Sequence, residues 1–401
     1  MLFLLRNRNF FLLWIGQAIS QLGNAIFNVA LLWLVLELTG SALAMGTVLI
    51  FTQVPWLVLQ LLGGVLVDRY NRQQIMILSD VLRSAIVFLF AVFILTDWIE
   101  LWHIYALATC FGIVAAFFNP AQAALLPLLV SKESLVAANA LSISTLQLSN
   151  IIGPAIGGFI VALAGIGIGG ASLLNAVSFG VGALALWLLR IPSSSSNARH
   201  QSLWTDLKEG WHYLWWTKRV LGLMLALAGL INFASASLLV LWPILSKEIY
   251  GTGAWGYGLL SAAFAVGVLA GSIITGAIGR VRRPGLFIYG LAIFLGLGFS
   301  LGAFMSTLPV AMGLYAILGG VIGMVNVVFT ALIQEFTAEE LRGRIFSWVT
   351  LVSAGLVPLS MGVAGAAVDM WGPLPWLFVG GLWITLVSLL SLLLPEVRRL
   401  E

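Results

Sequence analysis

The sequence predicts an all-α integral membrane protein of twelve transmembrane helices, arranged as two pseudo-symmetric six-helix bundles. Three observations predict it. Hydrophobic residues make up 61% of the 401 positions and charged residues 8%, against about 45–50% and ~25% in soluble globular chains, so the solvent for this surface must be lipid. Twelve apolar runs reach the ~20 residues that a membrane-crossing helix needs. The two sets of six also share marks at a near-constant spacing. Asn24 and Asn232 lie 208 residues apart, Asn119 and Asn326 207, and Gly64 and Gly276 212, as expected of a duplicated half.

The predicted helices run over 10–38, 42–67, 74–96, 101–129, 134–164 and 169–190, then 220–248, 255–279, 285–306, 308–334, 343–369 and 373–395. Several exceed the minimum length, which implies tilt or projecting ends. The 43 glycines of the chain suit helices whose backbones approach closely. The chain therefore divides into a bundle over 1–190, a linker over 191–219 and a bundle over 220–401. The linker opens with Pro192 and a four-serine run, flexible by composition. Leu203, Leu207, Trp211, Leu214 and Trp215 then recur at helical spacing, predicting an amphipathic helix in the membrane interface.

Orientation follows from the basic residues. With the N-terminus inside, Arg6, Arg8, Arg69, Arg72, Arg83, Lys132, the run from Arg190 to Arg219, Arg280, Arg282, Arg283, Arg342, Arg344, Arg398 and Arg399 fall on one side, and Lys247 alone on the other. Positive charge stays cytoplasmic, so both termini are expected in the cytoplasm and the chain in the cell inner membrane. The net charge of +4 is thus a topology signal and not a nucleic-acid footprint. Trp33, Trp98, Trp102, Trp242, Trp255, Trp371 and Trp376 fall near the expected outer interface, where amphipathic rings settle. No signal peptide is read, because the apolar run after Leu5 continues past Phe27 without a cleavage site.

Several function classes are set aside. The one cysteine, Cys110, excludes a disulfide framework, and His103, His200 and His212 are scattered, so no metal or cofactor is expected. No Gly-x-x-x-x-Gly-Lys-Ser/Thr loop is present, which disfavours ATP-driven transport. An enzyme would need acid, base or nucleophile groups converging at one depth, and none do.

The stretch Gly64-Val-Leu-Val-Asp68-Arg69-Tyr-Asn-Arg72 places a carboxylate and two guanidiniums between long apolar runs. It resembles the signature loop between helices 2 and 3 of the major facilitator superfamily, and the resemblance covers the whole chain. Arg6-Asn-Arg-Asn-Phe10, Ser20-Gln-Leu-Gly23, Phe118-Asn-Pro-Ala-Gln-Ala-Ala-Leu-Leu-Pro127, Leu135-Val-Ala-Ala-Asn-Ala-Leu141 and Leu341-Arg-Gly-Arg-Ile-Phe-Ser347 resemble the branch of drug:proton antiporters with macrolide-efflux and enterobactin-exporter proteins. The resemblance implies the major facilitator fold, alternating access and export coupled to protons. It also implies that Asp68 docks against the positive dipole end of helix 11, near Arg344, when the protein is open outward.

Around that gate, Arg69 and Arg72 can pair with nearby acids, and Asp80 with Arg83 at i, i+3 can complete a network. The second-half loop, Gly276-Ala-Ile-Gly-Arg280-Val-Arg-Arg283, has arginine where the first has Asp68 or its neighbour, so the latch is unequal. Arg280 or Arg283 can pair with Glu133, with Glu335, Glu339 and Glu340 as alternatives. On helix 5, Gly153-Pro154-Ala-Ile-Gly157-Gly158 resembles the antiporter motif of exporting families, with Ser149 where glycine is usual. Ordinary tight packing is the other reading of those glycines.

The candidate binding surface lies on helix 1, where Gln17, Gln21, Asn24 and Asn28 form one stripe. Amides facing lipid are unfavourable, so the stripe faces protein or a cavity. Gln147 and Asn150 on helix 5 and Asn232 on helix 7 join it at mid-depth, with Asn119, Gln122 and Asn326 deeper. Related transporters often carry aspartate where this chain has Asn24, and asparagine does not titrate. Proton coupling therefore falls to Glu37, Asp80 or Asp369. The function expected is export of bulky amphiphiles such as a drug, macrolide or siderophore by a monomer, with the bilayer and coupled protons as its other partners. Lysophospholipid transport and a non-transporting, receptor-like role are the alternatives.

Overall fold

The computed structural model describes residues 2–163, 166–190, 208–209, 211–338 and 341–398, with the side chains of residues 2–3, 61–69, 343, 354 and 398 outside that description. Twelve helices among the described residues are long and apolar enough to cross a membrane. They are α1 (Arg8–Thr39), α2 (Ala42–Arg69), α3 (Arg72–Leu95), α4 (Leu101–Leu129), α5 (Leu135–Ala162) and α6 (Gly167–Trp187). These are followed by α7 (Arg219–Ile249), α8 (Gly253–Ile278), α9 (Pro284–Gly302), α10 (Leu308–Phe336), α11 (Arg342–Trp371) and α12 (Pro373–Leu393).

Local chemistry sets the ends. Asn7 caps α1 by accepting from the Asn9 and Phe10 amides, and Asn71 caps α3 by accepting from Gln73 and Gln74, satisfying donors that a helix start leaves open. Gly40 closes α1 at φ 64 with its amide on the Leu36 carbonyl, a backbone state that costs glycine little. Gln73 reaches from the start of α3 to the carbonyls of Leu186 and Leu189 at the end of α6, at 2.7 and 3.1 Å.

One predicted helix differs from a single run. Over 220–248 the structure has a helix Arg219–Ser235, a second from Leu238 to Ile244 and a wide turn Leu245–Ile249. Ser235 and Ser237 donate to the carbonyls of Ile231 and Ala234, and Pro243 removes an amide donor. Competition from hydroxyls and a proline breaks a run that hydropathy reads as continuous.

The chain forms two units by contact, residues 1–198 with 252–262, and residues 199–251 with 263–401. In the first unit α1 packs on α5 and α6, α2 on α4, and α3 on α6. In the second, α7 packs on α11 and α12, and α9 on α12, while glycines of α10 meet α8. The pairings repeat with the helix order, as duplicated halves should.

Close crossings use glycine. A Cβ at Gly153 would overlap the Ala25 methyl, and one at Gly157 would meet the Ile26 backbone on α1. One at Gly158 would run into the Ala254 carbonyl and Gly258 at the start of α8. In the Gly153, Pro154, Gly157 and Gly158 motif the glycines thus meet the Ala25 methyl and the backbone of Ile26, Ala254 and Gly258, within the first unit. In the second unit Gly319 and Gly323 of α10 lie against the carbonyls of Phe264 and Val268 on α8.

The linker enters the description at Lys208. Its expected start, from Pro192 through Leu203 and Leu207, lies outside the described residues. Beyond it, Glu209 pairs with Arg344 at the start of α11, Trp211 packs 5.0 Å from Trp348, and the Tyr213 hydroxyl donates to the Phe336 carbonyl at 2.9 Å. Leu214 is buried beneath these rings.

Candidate functional site

The α1 stripe grades from core to surface. Gln17 is buried, Gln21 and Asn24 are half-buried, and Asn28 is exposed. Gln17 and Gln21 share with Phe10, Leu13, Trp14, Gln122, Ser142 and Thr145 a pocket of about 10 Å³, which is the size of one water. Gln17 Nε2, Gln21 Oε1 and Asn24 Oδ1 are buried without a partner among the described residues. One side of this pocket is fixed by Trp14 Nε1, which donates to Thr145 Oγ1 at 2.9 Å. Trp14→Phe should therefore lower stability by about 1 kcal/mol. Thermal unfolding of Trp14→Phe, Thr145→Val and the double variant should show losses that do not add.

The remaining amides are at the surface of their helices. Asn119 on α4, Gln147 and Asn150 on α5, Asn232 on α7 and Asn326 on α10 are all exposed. Of the sequence-derived set, Gln17, Gln21 and Gln122 are brought to one pocket in the first unit.

The gate residues separate into three groups. Gly64, Asp68 and Arg69 lie where side chains are outside the described residues, as do Glu339 and Glu340. Arg280 pairs with Glu335 at 3.2 Å, both exposed, a surface contact worth ~0–1 kcal/mol. Gly276 is exposed with open space around it, and Arg283 is exposed just ahead of α9. Arg344 is bound to Glu209 of the linker, an acid that sequence spacing did not single out. Arg72 is half-buried at the first position of α3.

Asp80 and Arg83 form the buried charge pair of the first unit. Asp80 is 0% exposed and accepts from Arg83 through Oδ1. Its second oxygen, Oδ2, is buried without a partner among the described residues. The Arg83 guanidinium lies 4.2 Å from the ring centre of Phe118 on α4 and 4.5 Å from that of Phe179 on α6. Gly182 of α6 stands beside the carboxylate, close enough that a Cβ there would lie 2.9 Å from Oδ2 and 2.7 Å from Ser20 Oγ on α1. Ser20 donates to the Ser178 carbonyl at 3.1 Å, and Ser178 to Asn175. Asn175, fully buried, is a polar residue that sequence reading passed over. Asparagine in an apolar helix with a serine three residues to either side, Ser172 and Ser178, is the signal that marks it.

The other two acids considered for coupling are exposed. Glu37 accepts from Trp33 Nε1 one turn back on α1, and Asp369 lies near the end of α11. Among the described residues no three His, Cys, Asp or Glu side chains gather to hold a metal.

Twelve candidate membrane spans among the described residues, with packing that repeats between the two units, define a multi-pass membrane protein. The chain belongs to the Major Facilitator Superfamily, whose family model matches residues 13–360. It is a secondary transporter of a small-molecule substrate in a family of transporters, not of enzymes. Among its relatives are macrolide efflux protein A of Streptococcus pyogenes, 26% identical over 98% of this chain and 97% of the relative. The multidrug efflux pump Tap of Mycobacterium tuberculosis is 29% identical over 98% of this chain and 94% of that one. Among solved structures, the nucleoside transporter NupG superposes with a TM-score of 0.74 at 10% identity, over 98% of this chain and 100% of the other. A bacterial homologue of the human lysosomal transporter Spinster, inward-facing and unoccupied, gives 0.72 at 13% identity, over 97% and 96%. At those identities the structures speak for the fold alone.

Proposed function

We propose that the protein exports bulky amphiphilic small molecules by alternating access from a neutral, amide-lined cavity. The observation that carries this reading is the exposure of Asn28, Asn119, Gln147, Asn150, Asn232 and Asn326 on membrane-spanning helices. Amides are unfavourable against lipid, so in each unit these faces are read as turned to water and not to the hydrocarbon. Away from their ends, α1, α4, α5, α7 and α10 carry no Asp, Glu, Lys or Arg, and a lining without fixed charge selects shape and apolar area over a charged headgroup. The efflux names of the macrolide and multidrug relatives agree with such a substrate. In this reading both termini are cytoplasmic, the membrane is the inner one, and the functional unit is a monomer.

The test is ethidium transport and binding by the full-length chain in proteoliposomes. Asn28→Leu should weaken ethidium binding about two- to tenfold, the loss of one net hydrogen bond, with an unchanged melting temperature. Unaltered binding together with lower stability would make the stripe a packing device instead.

A further inference from the structure

We propose that Asp80 is the group that binds the coupling proton, with Arg83 held between Phe118 and Phe179 as a counter-charge that survives its neutralisation. The inference rests on the transporter reading and deepens it by naming the ion and its site.

Four observations carry it. Asp80 sits in the third turn of α3, fully buried, and only one of its oxygens is engaged. Losing a charge from a buried pair normally strands the partner. Here the partner is already clamped: aromatic faces lie 4.2 and 4.5 Å from the guanidinium, and its Nε donates to the Ser79 carbonyl at 3.4 Å. Desolvated cation–π contacts of this kind are strong enough to retain an arginine without its carboxylate. The pair is also not sealed, since the Arg83 side chain is 12% exposed.

The repeat supplies the fourth observation. The corresponding helix pair of the second unit, α9 with α12, joins through Gly296 and Gly381 against Ser300 and Thr385, and neither helix carries an acid or a base other than Tyr289. Packing this pair of helices does not require charge. The ion pair on α3 is an addition that packing leaves unexplained.

The neighbourhood isolates Asp80. α6 has no titratable residue. On α4 the titratable residues are His103, Tyr105 and Cys110, all in its first three turns, while Phe118 faces the pair. α1 offers Arg8 and Glu37 in its first and last turns, and α2 offers Asp68 and Arg69 at its end. On α3 itself the other charged group is Arg72, two turns away. In the uptake step a proton from water forms an O–H bond at the Asp80 carboxylate while Arg83 stays protonated between the rings. In the release step Arg83 pairs again with Oδ1 and the proton returns to water.

Two measurements on the full chain test this. In proteoliposomes loaded with ethidium, wild type should change its steady-state ratio about tenfold per unit of imposed pH difference, for one proton per ethidium. Asp80→Asn should reach the same ratio with and without the pH step, and Asp80→Glu should restore the response. In ligand-free protein, pH-difference infrared spectra should show one protonated-carboxyl band that is lost in Asp80→Asn and displaced in Asp80→Glu. A retained gradient response or a retained band in Asp80→Asn overturns the proposal. Should Asp80→Asn fail to fold, an undisplaced band in Asp80→Glu overturns it equally. Wild type that ignores ethidium sinks the amphiphile reading instead, and the infrared arm, which needs no ligand, still decides Asp80.

Discussion

Arg83→Leu is expected to destabilise the protein by about 3–5 kcal/mol, the range for removing one member of a buried ion pair. Asp80→Asn is expected to cost clearly less. The asymmetry follows from what each change leaves behind. Without Arg83, a fully buried carboxylate has neither oxygen engaged among the described residues, since Oδ2 has no partner there and Oδ1 relied on the arginine. Without the Asp80 charge, Arg83 keeps two ring faces and the Ser79 carbonyl. Two desolvated cation–π faces offset roughly 2 kcal/mol or more of the loss. Thermal unfolding of the two variants in one detergent measures the difference. Equal losses would mean that the aromatic clamp does not hold the charge. The double variant should recover part of the Arg83→Leu loss, because no buried charge remains.

Gly319→Val is expected to abolish the folded protein. A Cβ at Gly319 would overlap the Phe264 carbonyl, and Gly267, Gly271 and Gly323 meet backbone of the facing helix just as closely. Backbone does not swing aside as a side chain does, so α8 and α10 would have to part along their length. Overpacking costs about 1–3 kcal/mol where side chains can yield, and here the neighbour cannot. Gly313→Ala on the same helix is the control, because its Cβ would meet nothing within 4 Å. It should express as wild type or slightly better, since alanine is favoured over glycine inside a helix. Yield of monodisperse protein by size-exclusion chromatography separates the two. Similar yields would show that the crossing has slack.

The architecture was legible because lipid leaves few ways to satisfy a backbone. Twelve long apolar runs, a midpoint interruption and Asn24 echoed at Asn232 were enough to place every spanning helix. The break in α7 was not legible from hydropathy. Serine and proline inside an apolar run change hydrogen bonding far more than mean hydropathy, and Ser237 and Pro243 did so. Asp80 with Arg83 could be read as a pair from i, i+3 spacing. Their burial could not, because it depends on Gly182, Phe118 and Phe179 from two other helices. The resemblance to the superfamily placed Arg344 in the gate region, and the structure adds Glu209, a partner 135 residues away. Long-range pairing of this sort leaves no local periodicity to find.

The docking of the linker on α11 decides how this chain could be taken apart. Glu209, Trp211 and Tyr213 all bind residues of the second unit, whereas Arg190 exchanges hydrogen bonds with Asn9 of the first through its amide and carbonyl. A gene divided between the codons for Arg190 and Lys208 would leave each of these contacts inside one fragment. Two co-expressed polypeptides would then each keep the linker contacts named here, while the first would still need residues 252–262 from the second to complete its own unit. A cut only a dozen residues later would strip the second fragment of the tryptophan and tyrosine that cover the start of its α11.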